Sequence, residues 1–291
     1  MANLASENVL TAPAPPLRGI VARYNGFRYS GSTPGIQHAL PSRYVSLVIS
    51  LERPIEIVDE NQSSASFDML IGGLHTRPIS MRDHGGGRGV IAQLEPLGAR
   101  LLLGMPAAAL VGQVVDLGGV WKRAPELWER LAMAPTWPVR FAVLDELFVR
   151  TLREAPGALP EVSQAWGHLV ATAGTARIAD LAGEVGWGRR HLLERFRAEV
   201  GLGPKQVARV LRFERASALL ERGSHTGVAA VALRCGYYDQ AHMASEWRAL
   251  TGMTVTGWLA QELRDPLVDA PPSEPKASPV PISPRRPASV G

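Results

Sequence analysis

The sequence predicts an α+β chain in which a strand-rich N-terminal part precedes an all-helical part. Three observations predict it. From residue 18 to about 103, short apolar runs alternate with glycine-rich turn pieces. After Gly104 the apolar residues recur at helical spacing. Within residues 177–263 one pattern, a short helix, a glycine turn and a second helix, occurs twice.

The repeat carries most of the reading. Residues 178–186 (IADLAGEVG) lie over 228–236 (VAAVALRCG) at an offset of 50. Ala179, Ala182 and Gly186 then match Ala229, Ala232 and Gly236, and Ile178 and Leu181 match Val228 and Val231. Beyond the glycine the offset becomes 51, so His191, Arg197, Ala198 and Gly201 match His242, Arg248, Ala249 and Gly252. Leu192 and Phe196 match Met243 and Trp247, and both Phe196 and Trp247 are expected in the core. Apolar residues at i, i+3, i+4 and i+7 give each first helix one buried face. Gly186 and Gly236 stand where a left-handed residue ends a helix. The second helices turn Arg190, Leu193, Glu194 and Arg197, and Gln240, Ala241, Ser245 and Arg248, away from the apolar face. Two helices joined steeply by a glycine turn form a helix-turn-helix, whose second helix enters the DNA major groove. A plain bundle with two similar hairpins is the bland alternative. Two copies in register, each with hydrogen-bonding side chains outward, favour base reading.

The segments RIADLAGEVGWGRRHLLERFRAEVGLGPKQVARVLRFERASALL and GVAAVALRCGYYDQAHMASEWRALTGMTVTGWL resemble the DNA-binding domain of AraC/XylS-type transcriptional regulators. The resemblance covers roughly a third of the chain. It implies a seven-helix domain over 160–264, with a long helix over 204–222 between two helix-turn-helix units. It also implies recognition helices over 188–200 and 239–250 in successive major grooves of double-stranded DNA. The DNA-facing set is then Arg189, Arg190, Leu193, Glu194 and Arg197, with Asp239, Gln240, Ala241, His242, Ser245 and Arg248. Tyr237, Ala241, Met243 and Thr254-Val255-Thr256 depart from the family pattern, as do Glu194 and Ser245, where some relatives carry Arg. These departures leave the fold alone and leave the recognised base sequence open.

In the N-terminal part, residues 44–51 (YVSLVISL) alternate, and 55–58, 67–71, 79–81, 89–94 and 100–103 are further short runs. Such spacing suggests a β-sandwich or barrel. Many AraC-type regulators carry a cupin-like jelly-roll sensor here, and the resemblance implies a divergent version over 18–155. Residues 106–111 and 125–134 read as helices. In 139–154, Phe141, Leu144, Leu147, Phe148, Thr151 and Leu152 form one stripe, which is either barrel packing or a homodimer interface. Residues 1–17 read as a flexible lead, 156–159 (from Ala155-Pro156-Gly157) as a linker, and the Pro- and Ser-rich 265–291 as disordered.

The 291-residue chain carries a formal charge of +4, a mild bias, so placed contacts must supply affinity for DNA. Its single cysteine, Cys235, excludes an internal disulfide and reads as a core residue. No apolar run reaches membrane-span length and the start lacks a secretion signal, so a cytoplasmic protein is expected. His38, His75, His84 and Glu95 are the candidates for a chemical site, but no His-x-His occurs. Bland exposed or core histidines are the favoured reading, with no catalytic residue, metal or cofactor assigned. The Gly85-Gly86-Gly87 run reads as a hairpin turn. The function expected is a sequence-specific transcription regulator, controlled by a small effector of unknown identity or by dimerisation, with room for a contact to RNA polymerase. The alternative is a metal-dependent cupin-type enzyme with a helical partner-binding domain.

Overall fold

A computed structural model describes residues 5–152, 159–223 and 227–262. The linker and the C-terminal tail named above lie largely or wholly outside these residues. The N-terminal part contains β1 (Ala5–Thr11), β2 (Val21–Ser30), β3 (Gly35–Ala39), β4 (Val45–Ser50), β5 (Ile55–Val58), β6 (Ser64–Phe67), β7 (Met69–Gly72), β8 (Ile79–Asp83), β9 (Gly86–Leu94) and β10 (Val114–Asp116). They build two antiparallel sheets, ordered β1-β2-β9-β4-β7-β10 and β3-β8-β5-β6. The alternation read in β4 is real: Val45, Leu47 and Ile49 are buried on one face, beside Val90, Ala92 and Leu94 of β9.

Three expectations need correction. The lead is structured from Ala5 onward, because β1 pairs with β2 from Ala5↔Ser30 to Thr11↔Tyr24. An edge strand held by backbone bonds needs no apolar stripe, and Leu10 is half exposed, so no periodicity betrays it. Residues 100–103 are not a strand but the end of helix α1 (Pro96–Leu103), closed by Gly104 at φ 72. A short apolar run does not by itself separate strand from helix. The run 67–71 also divides, Phe67 ending β6 in one sheet and Met69 opening β7 in the other.

Helices α2 (Leu117–Val120), α3 (Ala124–Met133) and α4 (Trp137–Thr151) follow. The stripe of α4 is core: Phe141, Leu144, Leu147 and Phe148 are buried against the larger sheet. The Tyr24 ring stacks on Phe141 at 5.9 Å, and its hydroxyl donates to Asp145 at 3.0 Å. Gly26 admits Trp137, since a Cβ there would stand 2.5 Å from the indole.

The C-terminal part has seven helices among the described residues: α5 (Pro160–Ala171), α6 (Ile178–Glu184), α7 (Arg189–Val200), α8 (Pro204–Glu221), α9 (Gly227–Arg234), α10 (Gln240–Thr251) and α11 (Val255–Glu262). Leu181, Ala182, Leu192, Phe196 and Val200 bury one face of the first copy, and Val231, Ala232, Met243, Trp247 and Leu250 that of the second. Gly186 and Gly236 turn at φ 70 and 79. The apolar interior does not divide at the expected linker. One core runs from the sheet through α5–α7 to Val207, Ala208 and Leu211 of α8. The other joins Val210, Phe213 and Ala216 of the same helix to α9–α11.

Polar contacts reinforce the seam between the two parts. Arg100 of α1 forks onto Glu199 of α7 at 3.1 and 2.9 Å. The Arg43 backbone N–H donates to Glu214 of α8 at 2.8 Å, with its guanidinium 3.6 Å from the same carboxylate. Trp166 of α5 donates to Glu95 at 3.2 Å. Burial pushes the Glu95 and Glu214 carboxyls above the usual range, and Arg43 offsets this only in part.

Two outcomes follow from this interior. A carboxyl raised in the folded state stabilises the fold at low pH and loses that contribution as pH rises through its folded pKa. Glu95→Gln should therefore raise the melting temperature at neutral pH, with the gain shrinking on acidification; thermal unfolding between about pH 4.5 and 8 measures it. Trp247, fully buried between Phe213 and Trp258 at 4.8 and 4.9 Å, should cost about 3–5 kcal/mol as Trp247→Ala in urea unfolding, and Phe196→Ala a similar amount.

Candidate nucleic-acid interface

Helix α7 begins after Gly188 and ends at Gly201, whose φ of 89 is left-handed. With Leu192, Phe196 and Val200 inward, the opposite face carries Arg190, Glu194 and Arg197, while Arg189, in the first turn, and Leu193 flank it; all five are exposed. Arg190 and Glu194 form an i,i+4 pair at 2.9 Å, with the arginine side chain 93% exposed. Such a pair contributes little stability in water, so either partner can exchange it for a base edge. Leu193 and Arg197 lean towards the next turn: a Cβ on Gly203 would lie 3.1 Å from the Leu193 side chain and 3.2 Å from the Arg197 Nε.

Helix α10 presents Gln240, Ala241, Ser245 and Arg248 to solvent in the same manner. Asp239 and His242 are exposed too, but both are engaged. The Asp239 carboxylate caps α10, accepting from the His242 N–H at 2.7 Å. The His242 ring accepts from the Tyr238 N–H at 3.3 Å and stands edge-on to Tyr237 at 5.5 Å. The first copy builds the same joint from Trp187 and His191, 4.6 Å apart. All eleven residues of the expected set are thus on exposed positions of two helix faces, with Asp239 and His242 shaping the start of α10.

One residue escaped the sequence reading. The single insertion that shifts the offset from 50 to 51 falls between the aromatic residue and the cap, and there stands Tyr238, 86% exposed. The slip in register was the available signal. It places a phenol beside the N-terminus of α10 with no counterpart beside α7.

The N-terminal candidates are kept apart. His38 meets Ser80 at 3.2 Å, His75 the Gly73 carbonyl at 3.1 Å and His84 the Glu56 carboxylate at 3.1 Å, while Glu95 is turned to Trp166. Among the described residues no three His, Cys, Asp or Glu side chains are grouped to hold a metal ion. The glycine run is not the hairpin expected: the turn at Gly85 carries the chain from β8 in the smaller sheet to β9, opened by Gly86 and Gly87, in the larger sheet, and the two strands do not pair. Cys235 is fully buried, and burial raises its thiol. No helix among the described residues is long and apolar enough to cross a membrane.

Comparison with known proteins bears on both parts. Residues 181–261 match the family model described as a helix-turn-helix domain. Residues 10–116 match a domain of unknown function (DUF6597). No curated protein matches the sequence. Among solved structures, an apo variant of ToxT from Vibrio cholerae is similar in fold, with a TM-score of 0.50 and 11% identity over 81% of this chain and 97% of that one. An AraC-type transcriptional regulator from Chromobacterium violaceum shares 26% identity over 36% of this chain and 95% of its own, at a TM-score of 0.33. The DNA-binding domain of AdpA, solved with a target DNA, shares 25% over 37% and 97%, at 0.34. The duplicated motif and the match over 181–261 identify the C-terminal part as a helix-turn-helix domain of AraC type, the DNA-binding part of a transcription regulator.

Proposed function

We propose that the protein reads two adjacent major-groove segments of one operator, α7 entering the first and α10 the second, under control of the N-terminal domain. The observation that carries this reading is the pair of exposed polar faces hung from one helix. Helix α8 has 18 residues, about 27 Å at 1.5 Å per residue, which is of the order of the ~34 Å that separates successive major grooves on one side of the duplex. Arg190, Glu194 and Arg197 serve the first segment, Gln240, Ser245 and Arg248 the second. Arginine suits guanine, glutamine adenine, and Glu194 the amino group of cytosine. Arg189, Leu193 and Ala241 complete the contact surface, and Tyr238 joins it through its hydroxyl.

Control by a small effector is part of the proposal. On the face of the large sheet opposite the apolar core, β2 and β9 align Arg23 with Gln93 and Asn25 with Ile91. The side-chain oxygens of Gln93 and Asn25 are buried there without a hydrogen-bond partner. Buried acceptors of this kind favour a ligand that brings donors. Occupancy would act through the seam, whose contacts reach α5, α7 and α8. A homodimer would use the outer faces of α3 and α4, where Trp128, Met133 and Val139 are exposed, since the stripe of α4 is consumed by the core. A contact with RNA polymerase would use faces outside the groove, such as that of Leu233.

Operator fragments selected in vitro and footprinted with the full chain test the reading. Arg190→Ala and Gln240→Ala should each cost about 1–3 kcal/mol in titrations at fixed salt and relax preference at one position, the two positions lying in different segments. Unchanged affinity and preference in both variants would remove α7 and α10 from the groove.

A further inference from the structure

We propose that the ion pair between Arg212 and Glu246 is a positioning device that sets the angle between the two recognition helices, and so the spacing of the two DNA segments that the protein accepts. The proposal rests on the reading that α7 and α10 both enter DNA. Arg212 lies in the middle of α8 and its guanidinium touches every part of the joint. One amino group lies 3.3 and 3.0 Å from the two carboxylate oxygens of Glu246 on α10. The other donates at 3.1 Å to the Gly174 carbonyl, in the turn between α5 and α6 of the first unit. The plane of the group lies over Tyr237, 5.4 Å from the ring centre, in the turn that precedes α10. Arg209, one turn back on α8, adds a contact to Glu246 at 3.1 Å, and His242 of α10 stands 3.5 Å from the same carboxylate.

The backbones are in contact at the same place. A Cβ on Gly174 would stand 2.2 Å from the Ala208 carbonyl of α8, and one on Gly236 2.6 Å from the Thr175 side chain. The turn of the second motif therefore rests on the first unit, and Arg212 spans the junction. Apolar packing between α8 and α10 is non-directional and tolerates small rotations. A fork of charged hydrogen bonds does not. With only 16% and 14% of the two side chains exposed, salt screens the pair weakly.

The repeat supplies an independent argument. At the offset of 51 the residue that matches Glu246 is Arg195, which is exposed on α7. A helix-turn-helix unit thus folds with the opposite charge at this position, facing water. The carboxylate of Glu246 answers the neighbouring unit, not the motif itself. The first recognition helix is oriented from the other side, through Arg100 and Glu199.

The test uses the full chain and a series of duplexes derived from its selected operator, with the two segments moved apart or together by one and two base pairs. The parent protein should show one optimum, with affinity falling about tenfold per base pair of displacement, on the scale of a lost base contact. Glu246→Gln, which keeps the shape and removes the charge, and Arg212→Lys, which keeps the charge and removes the fork, should flatten that profile to within about threefold. The melting temperature should stay within a few degrees of the parent, and the DNA segment assigned to Gln240 should remain protected in footprints. Folded variants with the parent's optimum and steepness would overturn the proposal. A parent indifferent to spacing would overturn the two-helix reading beneath it, and loss of the Gln240→Ala effect would mark that failure separately.

Discussion

The structure depends on one helix serving two interiors. Helix α8 buries Val207, Ala208 and Leu211 in the core that reaches back to the sheet, and Val210, Phe213 and Ala216 in the core of the second motif. A helix apolar on so much of its circumference cannot lie on a surface. Its burial from both sides fixes where each recognition helix can stand. The first motif is consequently a continuation of the N-terminal interior, while the second is attached to it through α8.

That asymmetry explains where the charged contacts fall. Arg100–Glu199, Arg43–Glu214 and Trp166–Glu95 all join the N-terminal part to α5, α7 or α8. Leu40 is the N-terminal apolar residue packed against the second core. A rearrangement of the sheet would therefore act first on α7 and on the upstream face of α8. Buried carboxylates at such a seam are costly in free energy, and Glu95 and Glu214, both raised by burial, share Arg43. Their value lies in direction: an apolar seam would allow the parts to slide, whereas an acceptor fixed opposite one donor does not.

The two copies of the motif divided their labour by small changes. Gly188 precedes α7 where Asp239 caps α10, and the added Tyr238 projects beside α10 alone. Trp187 with His191 and Tyr237 with His242 keep the same aromatic joint in both, so the start of each recognition helix is held alike while its outward chemistry differs. Equivalent scaffolds with different outer faces can read different bases in neighbouring grooves.

Much of this was legible in the sequence, because it rests on local spacing. The helical period, the glycine turns and the offset of the repeat locate α6, α7, α9 and α10 and decide which residues of each face out. Alternation likewise exposed β4, and a short apolar run marked β9. The edge strand β1 left no such trace, since backbone pairing carries it, and the apolar run in α1 was too short to declare its period. The direction of the α4 stripe needed the tertiary structure, as a stripe looks alike whether a sheet or a second subunit covers it. So did every charged joint. Arg43 and Glu214 are 171 residues apart, Arg100 and Glu199 are 99 apart, and Arg212 and Glu246 are 34 apart. The sequence determined by itself which side chains lie on which face of a helix, since that follows from rise and turn. Only the packed chain decided which guanidinium meets which carboxylate, because pairing depends on how separate elements are brought to within about 3 Å of one another.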